Sequence, residues 1–192
     1  SAYSDEAFAT TELAAPSTLT ALGSSASTID LSWTDNSKAE TGFSIERSLT
    51  ASTGFAVVGS AASDAVTFTD TGLEDATRYY YRIQAVNATL KSEYSNEATD
   101  TTWLAVPDDP SNLSVSVLNT CTVELKWRDR SDNESGFEIY RSISESFGFA
   151  AIESLPEGTQ SYTDTSTNNN TTYYYKVLAF NDAGRSGYTS TE

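Results

Sequence analysis

From Thr77 to Asn87 apolar and polar residues alternate, placing Tyr79, Tyr81, Ile83 and Ala85 on one face of an extended chain. That period of two, rich in aromatic and β-branched side chains, predicts a half-buried antiparallel strand. The pattern returns from Thr171 to Asn181, with Tyr173, Tyr175, Val177 and Ala179 on the corresponding face, 94 positions later. A repeat of that length is the size of one small sandwich domain, so the two copies predict the central strands of two domains.

Shorter alternations fill in the rest. Pro16 followed by Ser-Thr-Leu-Thr-Ala-Leu reads as an edge strand. Ile29, Leu31 and Trp33 share a face, Phe43 and Ile45 point inward from the next strand, and Phe55–Val58, Val66–Phe68 and Tyr94–Thr102 complete about seven strands. The constant offset carries Pro16 to Pro110, Trp33 to Trp127, Phe43 to Phe137, Arg47 to Arg141 and Asp70 to Asp164, which marks a duplication. The expected divisions are residues 1–13, 14–102, a proline-bracketed, semi-rigid linker at 103–109, and 110–192.

Residues 1–13 have no domain of their own. Tyr3-Ser4-Asp5-Glu6-Ala7 matches Tyr94-Ser95-Asn96-Glu97-Ala98, so they read as the closing strand of a preceding domain or as a strand donated to another copy. Residues 188–192 align with Tyr94–Ala98, so the second closing strand is expected to be partial, with an edge that residues 1–13 of another copy would complete head to tail. The chain holds no methionine, no apolar run of about 18 residues and no basic-then-apolar start, and it reads as a piece of something longer.

The inward Trp33 and Trp127, the phrases GFSIERS and GFEIYRS, the run FTDTGLEDATRYYYRIQAVN and the closing YSNEA resemble the fibronectin type III family, in the version common in secreted bacterial proteins. The resemblance implies an all-β fold, two tandem seven-stranded immunoglobulin-like (fibronectin type III) β-sandwiches preceded by a stray closing strand. It also implies that Tyr79 and Tyr173 form corners, each hydroxyl returning to the backbone just upstream. Leu73 becomes Thr167 in the second copy, so the second domain is expected to be the less stable.

Charge and chemistry narrow the function. Eleven Lys and Arg against 27 Asp and Glu give a net charge of −16, which repels nucleic acid and anionic membranes and predicts that stability rises with any added salt. Histidine is absent, removing the usual general base and the commonest transition-metal ligand. Cys121, the single cysteine, excludes an intrachain disulfide and reads as a small buried hydrophobe opening a strand. Five Asn-X-Ser/Thr sequons, at Asn87, Asn112, Asn133, Asn169 and Asn170, carry glycans only in an organism with that pathway.

The loops Asp35–Glu40 and Asp129–Glu134 offer carboxylate oxygens of the kind calcium takes, but their spacing matches no established calcium loop, and Lys38 and Arg130 sit among them. Asp and Asn also close turns on their own backbone, and Glu40 or Glu134 is in reach of Arg47 or Arg141, so the loops read as turns and no metal site is assigned. Tyr80, Tyr174 and Trp103 are the aromatics available to stack on sugar; cross-strand packing is the competing reading for the tyrosines, and packing between domains for Trp103.

The sequence thus predicts a non-enzymatic structural or adhesive module of an extracellular or cell-surface repeat protein or fibre, with no catalytic, cofactor-binding or metal residue. Its expected partners are other copies, neighbouring repeats, or a surface glycan or protein, with no nucleic acid and no membrane insertion. The alternative is a pair of spacer or accessory domains in a secreted polysaccharide-degrading enzyme.

Overall fold

The computed structural model describes residues 12–189. The chain divides into two compact units, residues 1–103 and 104–192. In unit 1 the strands are β1 (Ser17–Gly23), β2 (Thr28–Thr34), β3 (Gly42–Ser48), β4 (Ala56–Ala62), β5 (Thr67–Thr71), β6 (Arg78–Val86) and β7 (Ala98–Thr101). They form two antiparallel sheets, β1-β2-β5 and β4-β3-β6-β7. Unit 2 repeats the plan with β8 (Ser111–Asn119), β9 (Thr122–Arg128), β10 (Gly136–Ser142), β11 (Ala150–Pro156), β12 (Ser161–Asp164), β13 (Tyr174–Asn181) and β14 (Gly184–Arg185). Its sheets are β12-β9-β8 and β11-β10-β13-β14, so the all-β, twice-seven-stranded plan is the one the alternation predicts.

Register follows the buried faces. Phe43 pairs with Ala85 and Ile45 with Ile83 across β3 and β6, and Phe137 pairs with Ala179 and Ile139 with Val177 across β10 and β13. Slipping either strand by one residue would turn those side chains to solvent, so burial pins the pairing. Trp33 lies edge-on to Phe43 with centroids 5.4 Å apart, and Trp127 lies against Phe137 at 5.7 Å; both tryptophans are buried. Glycine precedes each phenylalanine because a β-carbon at Gly42 or Gly136 would run into the carbonyl oxygen of Ala61 or Leu155 on the neighbouring strand.

Several boundaries depart from the alternation. β4 runs on to Ala62 and β5 starts at Thr67, and the Tyr94–Thr102 strand shortens to Ala98–Thr101. The segment before β7 still lines β6, but serine hydroxyls take the place of ladder carbonyls. Ile83 N–H donates to Ser95 Oγ (3.1 Å) and Ala85 N–H to Ser92 Oγ (2.9 Å). Val177 and Ala179 do the same with Thr189 Oγ1 and Ser186 Oγ.

Tyr173, expected in the core, is only half-buried, because β13 begins two positions later than its counterpart and the preceding Asn168–Thr172 stretch is polar and exposed. Cys121 neither opens a strand nor is fully buried. It sits in the turn between β8 and β9, where its thiol donates to Asn169 Oδ1 at 3.5 Å.

Residues 1–11, and with them most of the stretch read as a stray or donated strand, lie outside the described residues. Leu13 is buried in the core of unit 1. In the stretch read as a linker, Ala105 O accepts from Asn181 Nδ2 (2.8 Å) and Asn133 Nδ2 (3.2 Å) and Pro107 is buried, so these residues belong to unit 2. Among the described residues no helix is long and apolar enough to cross a membrane.

Candidate functional site

Each sandwich buries one aspartate. Asp70, in β5, accepts from Arg47 Nη1 (2.8 Å) and Tyr81 Oη (2.9 Å), which β3 and β6 place side by side in the opposite sheet. Asp164 accepts from Arg141 Nη1 (2.6 Å), Tyr175 Oη (2.9 Å), and the Ser166 amide (2.9 Å) and hydroxyl (2.7 Å). Burial alone would raise the Asp164 pKa, but the Ser166 hydrogen bonds, reinforced by Arg141 and Tyr175, outweigh it and hold the carboxyl below the usual range. Burial, aided by the neighbouring aspartate, pushes the hydroxyls of Tyr81 and Tyr175 far up. Such an ionised, saturated carboxylate is a clamp between sheets, not an acid or base poised for proton transfer.

These arginines are therefore not partners of the loop glutamates. Glu40 and Glu134 instead cap the β4–β5 and β11–β12 turns, accepting from the amides of Asp64 (3.4 Å) and Gly158 (3.0 Å). Asp35 and Asp129 close the expected turns, each taking the amide two residues on, Ser37 at 2.9 Å and Ser131 at 3.0 Å. The amide dipole of Glu40 itself, against burial and with smaller help from Ser37, Asp64 and Ala39, holds its carboxyl below the ordinary range. Asp129 moves the other way: burial pushes it up, and the charge of Glu134 adds to that against the pull of the Ser131 amide.

The outer faces of the four-stranded sheets hold aromatic residues around a cation. Arg82 lies between the rings of Phe55 (4.4 Å) and Tyr94 (3.8 Å) and pairs with Glu46 at 2.8 Å, while Tyr94 Oη donates to Glu46 Oε1 at 2.9 Å. Lys176 takes the same place between Phe149 (4.2 Å) and Tyr188 (5.5 Å), with Tyr140 edge-on to Tyr188. A ring face covered by a cation is not free to stack on a sugar. Tyr80 and Tyr174 are half-buried on their strands. Trp103 is 60% exposed, with its amide donating to Ser25 O and its carbonyl accepting from Ala76.

A groove of about 680 Å³ in unit 2 is lined by Val117, Val123, Tyr173 and a run of threonines and asparagines, with no acid, base or charged nucleophile. The amides of Asn87 and Asn133 donate to Ala39 O and Ala105 O, so two sequon side chains serve the fold.

The family model described as fibronectin type III domain matches residues 14–101. Unit 1 is a fibronectin type III domain. Unit 2 repeats its strands, sheet order and buried clamp, so the two units share one fold. Among curated relatives, exoglucanase B of Cellulomonas fimi is 30% identical, over 65% of this chain and 12% of that protein. Alpha-amylase of Niallia circulans is 35% identical, over 45% of this chain and 7% of its own length. The chain thus spans about an eighth or less of these relatives. A two fibronectin type III domain segment of chicken tenascin covers 90% of this chain and 95% of its own, with 14% identity and a TM-score of 0.48.

The fibronectin type III corners are in place in both units. The amide of Glu74 donates to Tyr79 Oη at 3.0 Å and that of Asn168 to Tyr173 Oη at 3.2 Å, each five residues upstream.

Proposed function

We propose that this tandem pair is a non-catalytic structural module that holds a longer extracellular or cell-surface protein at a set spacing. The observation that carries this reading is what the duplication keeps. Arg47, Asp70 and Tyr81 recur as Arg141, Asp164 and Tyr175 in the same hydrogen bonds, and the cation between two rings recurs on the outer face. Groups that would make a site differ: Glu46 becomes Tyr140, Gln84 becomes Leu178, and Asp64 becomes Gly158. What repeats is a scaffold, as expected of units that serve by stacking in series.

The names of the relatives favour a second reading, spacer or accessory domains of a polysaccharide-degrading enzyme, since an exoglucanase and an amylase contain matching segments. Incubating the chain with insoluble cellulose and starch and measuring what stays in solution tests both. A spacer remains in the supernatant and releases no sugar. Depletion by either polysaccharide would replace the spacer reading with direct carbohydrate binding.

A further inference from the structure

Asp35 from the β2–β3 loop, Glu40 at its end and Asp64 from the β4–β5 turn each place a carboxylate oxygen within 4.8 Å of the others. Among the described residues no lysine or arginine forms an ion pair with any of the three. Glu40 is only 9% exposed, and while Oε1 takes the Asp64 amide, Oε2 is buried with no hydrogen-bond partner. The loop amides and Ser37 favour the Glu40 charge, and its buried second oxygen, with no hydrogen-bond donor of its own and two further carboxylates beside it, is a position that a cation would complete. Lys38 does not: it is exposed and unpaired with these carboxylates.

The donors are all hard oxygens from short, irregular segments, the set that suits calcium, which accepts six to eight oxygens in loose geometry, better than magnesium, which demands a tight octahedron. We propose that Asp35, Glu40 and Asp64 form a calcium site in unit 1, with water filling the remaining positions. Unit 2 supplies a built-in comparison. Asp129 and Glu134 occupy the first two places, but the third is Gly158, whose amide still caps Glu134 at 3.0 Å. The second unit keeps the turn and lacks one ligand, so the site belongs to unit 1 alone.

The test uses the full 192-residue chain, stripped with a chelator and titrated calorimetrically with calcium chloride. Thermal unfolding is then recorded in calcium and in magnesium at matched ionic strength. One calcium ion per chain is expected, with the transition of unit 1 raised by calcium more than by magnesium and that of unit 2 following ionic strength only. Asp64→Gly copies unit 2 and suits the left-handed backbone there (φ 59°), so it should fold and melt normally in chelator while weakening calcium binding at least about tenfold. Glu40→Gln should weaken it similarly. Absence of binding, equal stabilisation by both ions, two equivalent ions per chain, or unchanged affinity in a folded Asp64→Gly chain would each overturn the proposal.

Discussion

Replacing Asp164 by asparagine keeps the shape of the buried clamp and removes its charge. Asp164 is fully buried and accepts four hydrogen bonds, two of them from Ser166 and one from an arginine whose side chain is 21% exposed. The amide of asparagine cannot satisfy Arg141, Tyr175 and Ser166 together, and it leaves the guanidinium largely desolvated without its counter-charge. Breaking one side of a buried pair costs about 3 to 5 kcal/mol. A unit of this size has roughly 4 to 13 kcal/mol in total, so unit 2 should lose about a quarter of its stability or more.

Tyr175→Phe, by contrast, removes one of four donors and should cost about 1 kcal/mol. Urea unfolding followed by tryptophan fluorescence reads the effect in unit 2 through the buried Trp127. The pH dependence adds a signature that mere loss of packing lacks. Because the folded Asp164 pKa lies below its unfolded value, its contribution is complete above the ordinary carboxylate range and is lost as pH falls from that range down through the lower folded value. Acid should therefore destabilise unit 2 of the native chain more than that of Asp164→Asn. A loss under 1 kcal/mol, or an unchanged acid limb, would show that the clamp does not hold the sheets together.

Trp33→Ala should cost about 3 to 5 kcal/mol and unfold unit 1 selectively, read by calorimetry as loss of one of two transitions. Tyr79→Phe leaves the Glu74 amide without its acceptor and should cost about 1 to 2 kcal/mol in urea titrations. Thr167, buried where unit 1 has the core residue Leu73, should make unit 2 the first to melt in calorimetry, and Thr167→Leu should raise its stability by about 1 kcal/mol. Sodium chloride should raise the melting temperature of both units by screening the net charge of −16, an effect absent if self-repulsion is unimportant.

The strand plan was legible because burial on one face writes a period of two directly into the chain, as in Tyr79, Tyr81, Ile83 and Ala85. The clamp was not. Asp70 sits in an ordinary-looking Phe-Thr-Asp-Thr run, and its partnership with Arg47 depends on how two sheets face each other, which no local period records. Glu40 lies closer to Arg47 in sequence, and that proximity misled the expected pairing. Tyr94 and Tyr188 read as closing-strand residues, although their role is to cover a cation on the neighbouring strand. The acidic loop was visible, yet Asp64, its third carboxylate, comes from a turn 24 positions beyond Glu40, and only the folded hairpins bring it near.

Stretching single chains by force tests most directly the claim that two self-contained sandwiches act in series as a spacer. Each unit should unfold in its own event and release on the order of 300 Å of contour length, the extended length of about 90 residues. A native chain should give two such events and the Asp164→Asn chain should give one at markedly lower force. A single cooperative event, or smooth extension with no force-bearing step, would contradict the structural reading.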